Sequence, residues 1–170
     1  EAERVLQNVE GSGDGHHFFE RLDYASLAAA LETGPLALVR IDLDGISSDP
    51  TGCLIQTCCD AIRRAFPGDV TLAQMAGTEF AVVAPIGPEG ELDRSLRALR
   101  SSLAAAGQQF GSDGLQASIG VAQAEPGTGL ADLLAAAERA LIEDRHGRAS
   151  RDLGKLDRAM QAAETSLRAS

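Results

Sequence analysis

The sequence predicts an α/β chain of the α+β sandwich kind, with one central mixed β-sheet flanked by helices. Three observations carry that prediction. Apolar runs of strand length alternate with stretches in which apolar residues recur every three or four positions. One run, Leu36 to Ile41 (LALVRI), is apolar but for one Arg, the pattern of a strand buried on both faces. Two further short runs are separated by a tight turn at Gly77, which makes a hairpin. Strands interleaved with helices around such a hairpin pack as layers about a single sheet. The 170 residues suffice for one domain with a full core.

Each element follows from spacing and punctuation. Ala2, Val5 and Val9 stand at helical spacing, and Gly11-Ser12-Gly13-Asp14-Gly15 breaks that run. From about His16 to Leu31, Phe18, Phe19, Leu22, Leu27 and Leu31 suit an amphipathic helix, stopped by Gly34-Pro35. The LALVRI strand ends in Asp42-Leu43-Asp44-Gly45, and Ser47 to Gly52 is loop. Cys53 to Phe66 reads as a helix closed by Pro67-Gly68-Asp69. Strands over about Val70 to Met75 and Glu79 to Ala84 flank the turn, and Pro85 to Gly90 is loop. Leu92, Leu96, Leu99, Leu103 and Ala106 give a helix with one apolar stripe. Leu115 to Ala122 is a strand, and Leu130, Leu133, Leu134, Ala137 and Leu141 define the next helix. Beyond His146-Gly147-Arg148, Leu153, Leu156, Met160, Ala163 and Leu167 form a heptad seam too short to stand alone as a coiled coil.

Composition narrows the function classes. With 25 acidic and 15 basic side chains the formal charge is -10, a field that repels phosphate backbones and argues against a nucleic-acid partner. No apolar run approaches the ~20 residues that span a bilayer, and the N-terminus lacks the pattern of a signal peptide. The sequence begins at Glu1, which suggests a fragment of a longer chain. Cys53, Cys58 and Cys59 are odd in number and lack C-x-x-C spacing, so they read as small apolar residues on a buried helix face. His16, His17 and His146 have no ligand-like partners at helical or strand spacing and read as surface residues. A cytoplasmic location is expected.

Two local features can carry chemistry. Asp42 and Asp44 lie two apart at a strand end, so both carboxylates face one side. Thr78 and Glu79 follow Gly77 in a strand-turn-strand. If the two strands are sheet neighbours, Asp42, Asp44 and Glu79 converge on one rim, an oxygen-rich cluster suited to Mg²⁺ with nucleotide phosphates. The competing reading is a solvated strand end beside an ordinary turn.

These segments together resemble a known family. ALVRIDLDGI resembles the first strand of GGDEF domains, the diguanylate cyclase family, with its D-x-D-x-F-K pattern. AGTEFAVVAP looks like the signature hairpin, and LQASIGVA is similar to the S-x-G-V-A strand. LADLLAAAERALIEDRHGR looks like the closing helix, and FFERL fits the opening one. The patches fall in the family's order from about Gln7 to Arg148 and imply its nucleotide-cyclase-like fold.

The resemblance also implies a damaged site. The family holds its metal with the first Asp of D-x-D, here Asp42, and with the acidic third signature residue, here the neutral Thr78. Glu79 keeps the fourth position, on the opposite face from its neighbour. The family's Lys after D-x-D-x-F aligns with Ser47. SSDPTGCLIQTCCD replaces the guanine-reading loop, with Pro50 near the expected Asn and Asp60 echoing the final Asp only across a gap. QNVEGSGDG keeps Gly11 of the opening turn, and Phe66 stands where the R-x-x-D product site would place Arg before Asp69. Arg145 and Arg148 lie near the family's phosphate-binding Lys and Arg; their plainer reading is charge favourable to a helix C-terminus.

The expectation is therefore a catalytically inactive GGDEF domain over 13–148, with a linker helix and turn over 1–12 and a helical extension over 149–170. Asp42, Asp44, Thr78, Glu79 and Arg145 would form a vestigial nucleotide site, with Asp42 and Glu79 as residual metal ligands. No cofactor is expected, with weak Mg²⁺ and GTP binding as the alternative. Expected partners are neighbouring domains of phosphodiesterase or sensor type in a bacterial cyclic di-GMP signalling protein, and a homodimer through the flanking helices. The other functions weighed are a GTP-binding sensor without turnover and an active cyclase in which Glu79 takes over metal binding.

Overall fold

The computed structural model describes residues 32–46, 52–68, 70–111 and 115–168. The predicted helices over Ala2–Val9 and His16–Leu31, with the turn between them, lie outside the described residues, as do Ser47, Pro50 and Asp69. Seven elements follow one another: β1 (Leu36–Asp44), α1 (Cys53–Ala65), β2 (Thr71–Ala76), β3 (Glu79–Pro85), α2 (Glu91–Gln109), β4 (Gln116–Ala124) and α3 (Leu130–Arg168). This is the predicted order, and helices flank a central sheet as expected.

The four strands lie in the order β2-β3-β1-β4, and each neighbouring pair is antiparallel. β1 and β2 therefore run the same way with β3 between them, and β3 and β4 do so with β1 between them. That arrangement is two interlocked split β-α-β units.

Strand alternation divides the core into two layers. Ala37, Val39, Ile41 and Leu43 of β1 pack with Leu54, Cys58 and Ile62 of α1 and Leu99 and Leu103 of α2. Leu36 and Leu38 face the other way, against Leu133 and Ala137 of α3. This two-sided burial is why the β1 segment reads as a continuous apolar run. β1 extends past its predicted end at Ile41, because β4 pairs with it as far as Asp44↔Gln116. The helix ends agree with the macrodipole: Glu91 and Asp93 open α2, and Arg63 and Arg64 close α1.

Two sequence expectations change. Of the three cysteines, Cys58 is buried, Cys59 is half-buried and Cys53 is exposed at the first position of α1, so the buried face takes only part of the set. Burial pushes the Cys59 thiol up from its ordinary value, against the opposing pull of Arg63. The helix predicted to break at His146-Gly147-Arg148 instead runs 39 residues, from Leu130 through Gly147 and Gly154 to Arg168. Each glycine costs about 1 kcal/mol relative to Ala, which a propagating helix absorbs.

The α3 face of β4 carries small residues: Ser118, Gly120, Ala122 and Ala124. A Cβ at Gly120 would lie 2.3 Å from both the carbonyl oxygen of Ala137 and the amide nitrogen of Leu141. Helix backbone thus rests on strand backbone. Gly120→Ala should cost about 3 kcal/mol in urea unfolding, through forced separation of α3 from the sheet. Gly154→Ala, where nothing lies within 4 Å, should be neutral or mildly stabilising. Equal effects of the two substitutions would refute the close-approach account.

Candidate functional site

The strand alternation that buries Leu36 and Leu38 sends Arg40, Asp42 and Asp44 to the same face, toward α3. Asp42 lies within β1 and is 8% exposed. Its direct partner across the β1–β3 ladder is Glu79, so the two acids share one face in register. The condition set by the sequence is met: the strands are neighbours, and Asp42, Asp44 and Glu79 converge on one rim.

The hairpin that presents Thr78 is pinned locally. Gly77 holds φ 33, a conformation that favours glycine, beside an irregularity in the ladder between Gln74 and Ala76. The Gln74 side-chain amide donates to the Gly77 carbonyl at 2.7 Å. The Leu43 amide donates to the Thr78 carbonyl at 3.0 Å. With the turn so fixed, the Thr78 hydroxyl donates to Asp42 Oδ1 at 3.3 Å.

The second Asp42 oxygen, Oδ2, is paired with the Arg145 guanidinium. Arg148 holds Asp44 Oδ2 at 2.8 Å and Gln116 Oε1 at 2.6 Å, and it also donates to the Ser118 hydroxyl. The placing of these arginines at a helix C-terminus is thereby corrected, since α3 continues to Arg168 and both point back to the sheet. The spacings differ by only about 2 Å: three residues along a helix rise about 4.5 Å, and two along a strand about 6.6 Å. Flexible arginine stems take up the difference.

Glu79 turns toward Arg40 at 3.6 Å, and Arg40 also meets Glu138 of α3 at 3.1 Å. Every carboxylate at the rim therefore has a guanidinium beside it. Among the described residues, no group of three or more His, Cys, Asp or Glu side chains is placed to hold a metal ion. At the β4 edge, Arg100 of α2 reaches Asp144 of α3 at 3.1 Å and the Ala117 carbonyl at 2.9 Å. Asp144 in turn accepts the Ile119 amide at 2.8 Å, which covers an open strand edge. Beyond Arg148, a cleft of about 300 Å³ is lined by Arg100, Arg151 and Lys155 among others.

The sequence reading did not assign Arg40, Ser118, Gln116 or Glu138 to this cluster. For Arg40 a signal existed, because it lies two residues before Asp42 and so on the same face. Phe66, at the position compared with a product-site Arg, is buried in the core beside α1 and α2.

No protein-family model matches the sequence, and no curated protein matches it. Solved structures do. The GGDEF domain of DgcB from Caulobacter crescentus, in complex with c-di-GMP, is 21% identical with a TM-score of 0.65, covering 83% of this chain and 92% of that one. Diguanylate cyclase SiaD from Pseudomonas aeruginosa, in complex with its activator SiaC, is 15% identical with a TM-score of 0.65, covering 86% of this chain and 60% of that one. The FimX GGDEF domain from Pseudomonas aeruginosa is 20% identical with a TM-score of 0.58, covering 84% of this chain and 94% of that one. The chain has the GGDEF-domain fold.

The Asp42–Arg145 pair invites a double-mutant cycle with Asp42→Asn and Arg145→Met. The Asp42 side chain is 12% exposed and that of Arg145 44%, so the expected coupling is about 1 kcal/mol in urea unfolding, above most surface pairs. Coupling indistinguishable from zero would show that the pair is incidental.

Proposed function

We propose that this chain is a GGDEF domain that makes no cyclic di-GMP and works by contacts, as a regulatory, interaction or dimerisation module of a bacterial cyclic di-GMP signalling protein. One observation carries the reading: both oxygens of Asp42 are engaged, by the Thr78 hydroxyl and by the Arg145 guanidinium. Mg²⁺ demands six oxygens in octahedral array at about 2.0–2.1 Å. Here a fixed monovalent cation lies against the carboxylate that would have to serve it. Thr78 contributes no charge, and Glu79 is turned to Arg40. We read this donor set as unfit for the metal, and derive no catalytic step through it.

The rest of the proposal follows from that cluster. Asp42, Asp44, Thr78, Glu79 and Arg145 are remnants of a nucleotide site that now serve in structural ion pairs and, for Thr78, a hydrogen bond, and the domain keeps no resident cofactor. The module spans 13–148, with 1–12 as a linker helix and turn and 149–170 as a C-terminal extension or linker. No helix among the described residues is long and apolar enough to cross a membrane, which agrees with a proposed cytoplasmic setting. SiaD is held in its structure by an activator protein. By analogy, the partners proposed here are protein surfaces: adjoining phosphodiesterase or sensor domains, or a second copy.

The purified chain, incubated with GTP and Mg²⁺ or Mn²⁺, should yield no cyclic di-GMP by chromatography. Turnover above a no-protein blank would overturn the proposal. A thermal-shift titration tests the sensor alternative: no shift is expected at millimolar GTP with Mg²⁺. A shift abolished by Asp42→Ala would favour nucleotide sensing instead.

A further inference from the structure

The unbroken course of α3 lengthens the apolar seam seen in the sequence. Steps of four and three run on from Ile142, by way of His146 and Ala149, to Leu153, Leu156, Met160 and Ala163, about 32 Å at 1.5 Å per residue. Its large members are exposed: Ile142 41%, Leu153 66%, Leu156 58% and Met160 57%. With Leu153 and Met160 at a, and Ile142 and Leu156 at d, the seam covers enough heptads to pair with another helix.

The edges of the seam decide which helix. Along one edge, the e positions carry Glu143, Asp157 and Glu164. Along the other, the g positions carry Arg145, already held by Asp42, and Asp152, 3.5 Å from Lys155, so the e edge bears most of the uncompensated charge. Arg151, Lys155 and Arg158 fall at f and c positions, on the side away from the seam. In a parallel pair of two copies, Asp152 would oppose Asp157 of the other chain. In an antiparallel pair the acidic e edges would oppose each other. With Arg145 taken up by Asp42, neither self-pairing brings a base to the acidic edges, and like charges at these positions select against it.

We infer that the Ile142–Ala163 seam docks an amphipathic helix of another polypeptide whose flanking edges are basic. At this seam such a helix is favoured over a second copy of the chain, which narrows the set of partners proposed above. Apolar contact at a and d supplies the attraction, and Lys or Arg opposite Glu143, Asp157 and Glu164 supplies the discrimination. This inference rests on the reading of the chain as a contact module and names the chemistry of its partner.

Two synthetic helical peptides with the same Leu/Ile seam test it, one with Lys and one with Glu at every e and g position. Like charges keep each peptide from self-association. The intact chain should bind the Lys peptide at least roughly tenfold more tightly in calorimetry, with the preference falling as salt rises. Leu156→Glu should abolish binding, and the triple variant Glu143→Lys, Asp157→Lys, Glu164→Lys should reverse the preference. Circular dichroism and melting of each variant separate loss of binding from loss of fold. Equal affinity for both peptides, or no affinity for either, would overturn the inference. So would a dimer of the chain alone that Leu156→Glu dissolves, although that outcome leaves the contact-module reading intact. Cyclic di-GMP turnover would remove the module reading itself.

Discussion

The close approach of α3 to β4 at Gly120 is the constraint on which the rest of the molecule depends. With backbone against backbone there, the helix lies low across the face formed by Leu36, Leu38, Ala81 and Ala122. A larger residue in β4 would lift it and open a gap along the whole contact, at the expense of dispersion and burial. The height of the helix also sets what its next turns can reach. Ala137, Leu141, Arg145 and Arg148 step by four, four and three, so they share one stripe. The first two meet the sheet where it is apolar, and the last two meet it where β1 turns acidic. One helix face thus changes character in step with the strand beneath it.

That match explains why a nearly buried aspartate is tolerated at the end of an apolar strand. Removing Asp42 from water costs several kcal/mol unless its oxygens find donors. Arg145 and Thr78 supply them, one charged and one neutral. Arg148 brings the more exposed Asp44, Gln116 and Ser118 into the same network, and so ties β1, β4 and α3 together. Arg40 does the corresponding work between β1, β3 and α3 through Glu79 and Glu138. Such clusters contribute less to net stability than to register: a helix shifted by one turn would leave several carboxylates unpaired in a partly dry site.

Much of this was legible in the sequence, and what was not has a physical reason. LALVRI disclosed a strand covered on both faces because its apolar residues do not alternate with polar ones. Gly77 and the short runs beside it disclosed the hairpin, and strand periodicity placed Asp42 and Asp44 on one face. The pairing of Arg145 with Asp42 was hidden by distance along the chain. It was hidden further because arginines three apart near a glycine look like the solvated end of a helix. Gly147 suggested a stop, yet flanking turns already docked on the sheet carried the helix past it. Cys53 was taken for a buried face from its neighbours, whereas as the first residue of α1 it lies beyond the reach of the core.

The continuity of α3 gives the paired acids of the rim a structural role. A helix leaving a domain frays and swings unless its last contact is fixed. Here the last contacts with the sheet are not apolar ones but the ion pairs at Arg145 and Arg148, whose donors have defined directions. They hold the root of a segment that projects for residues 149–168, about 30 Å at 1.5 Å per residue. On the proposed reading, a strand end once suited to a mobile divalent ion is occupied by guanidinium groups of the chain's own closing helix. A metal at Asp42 would remove one tie between the later turns of that helix and β1, whereas the arginines add ties beyond the apolar contact. On that same reading, the arginine that occupies Asp42 in place of a metal also anchors the helix, which is the combination a contact module requires.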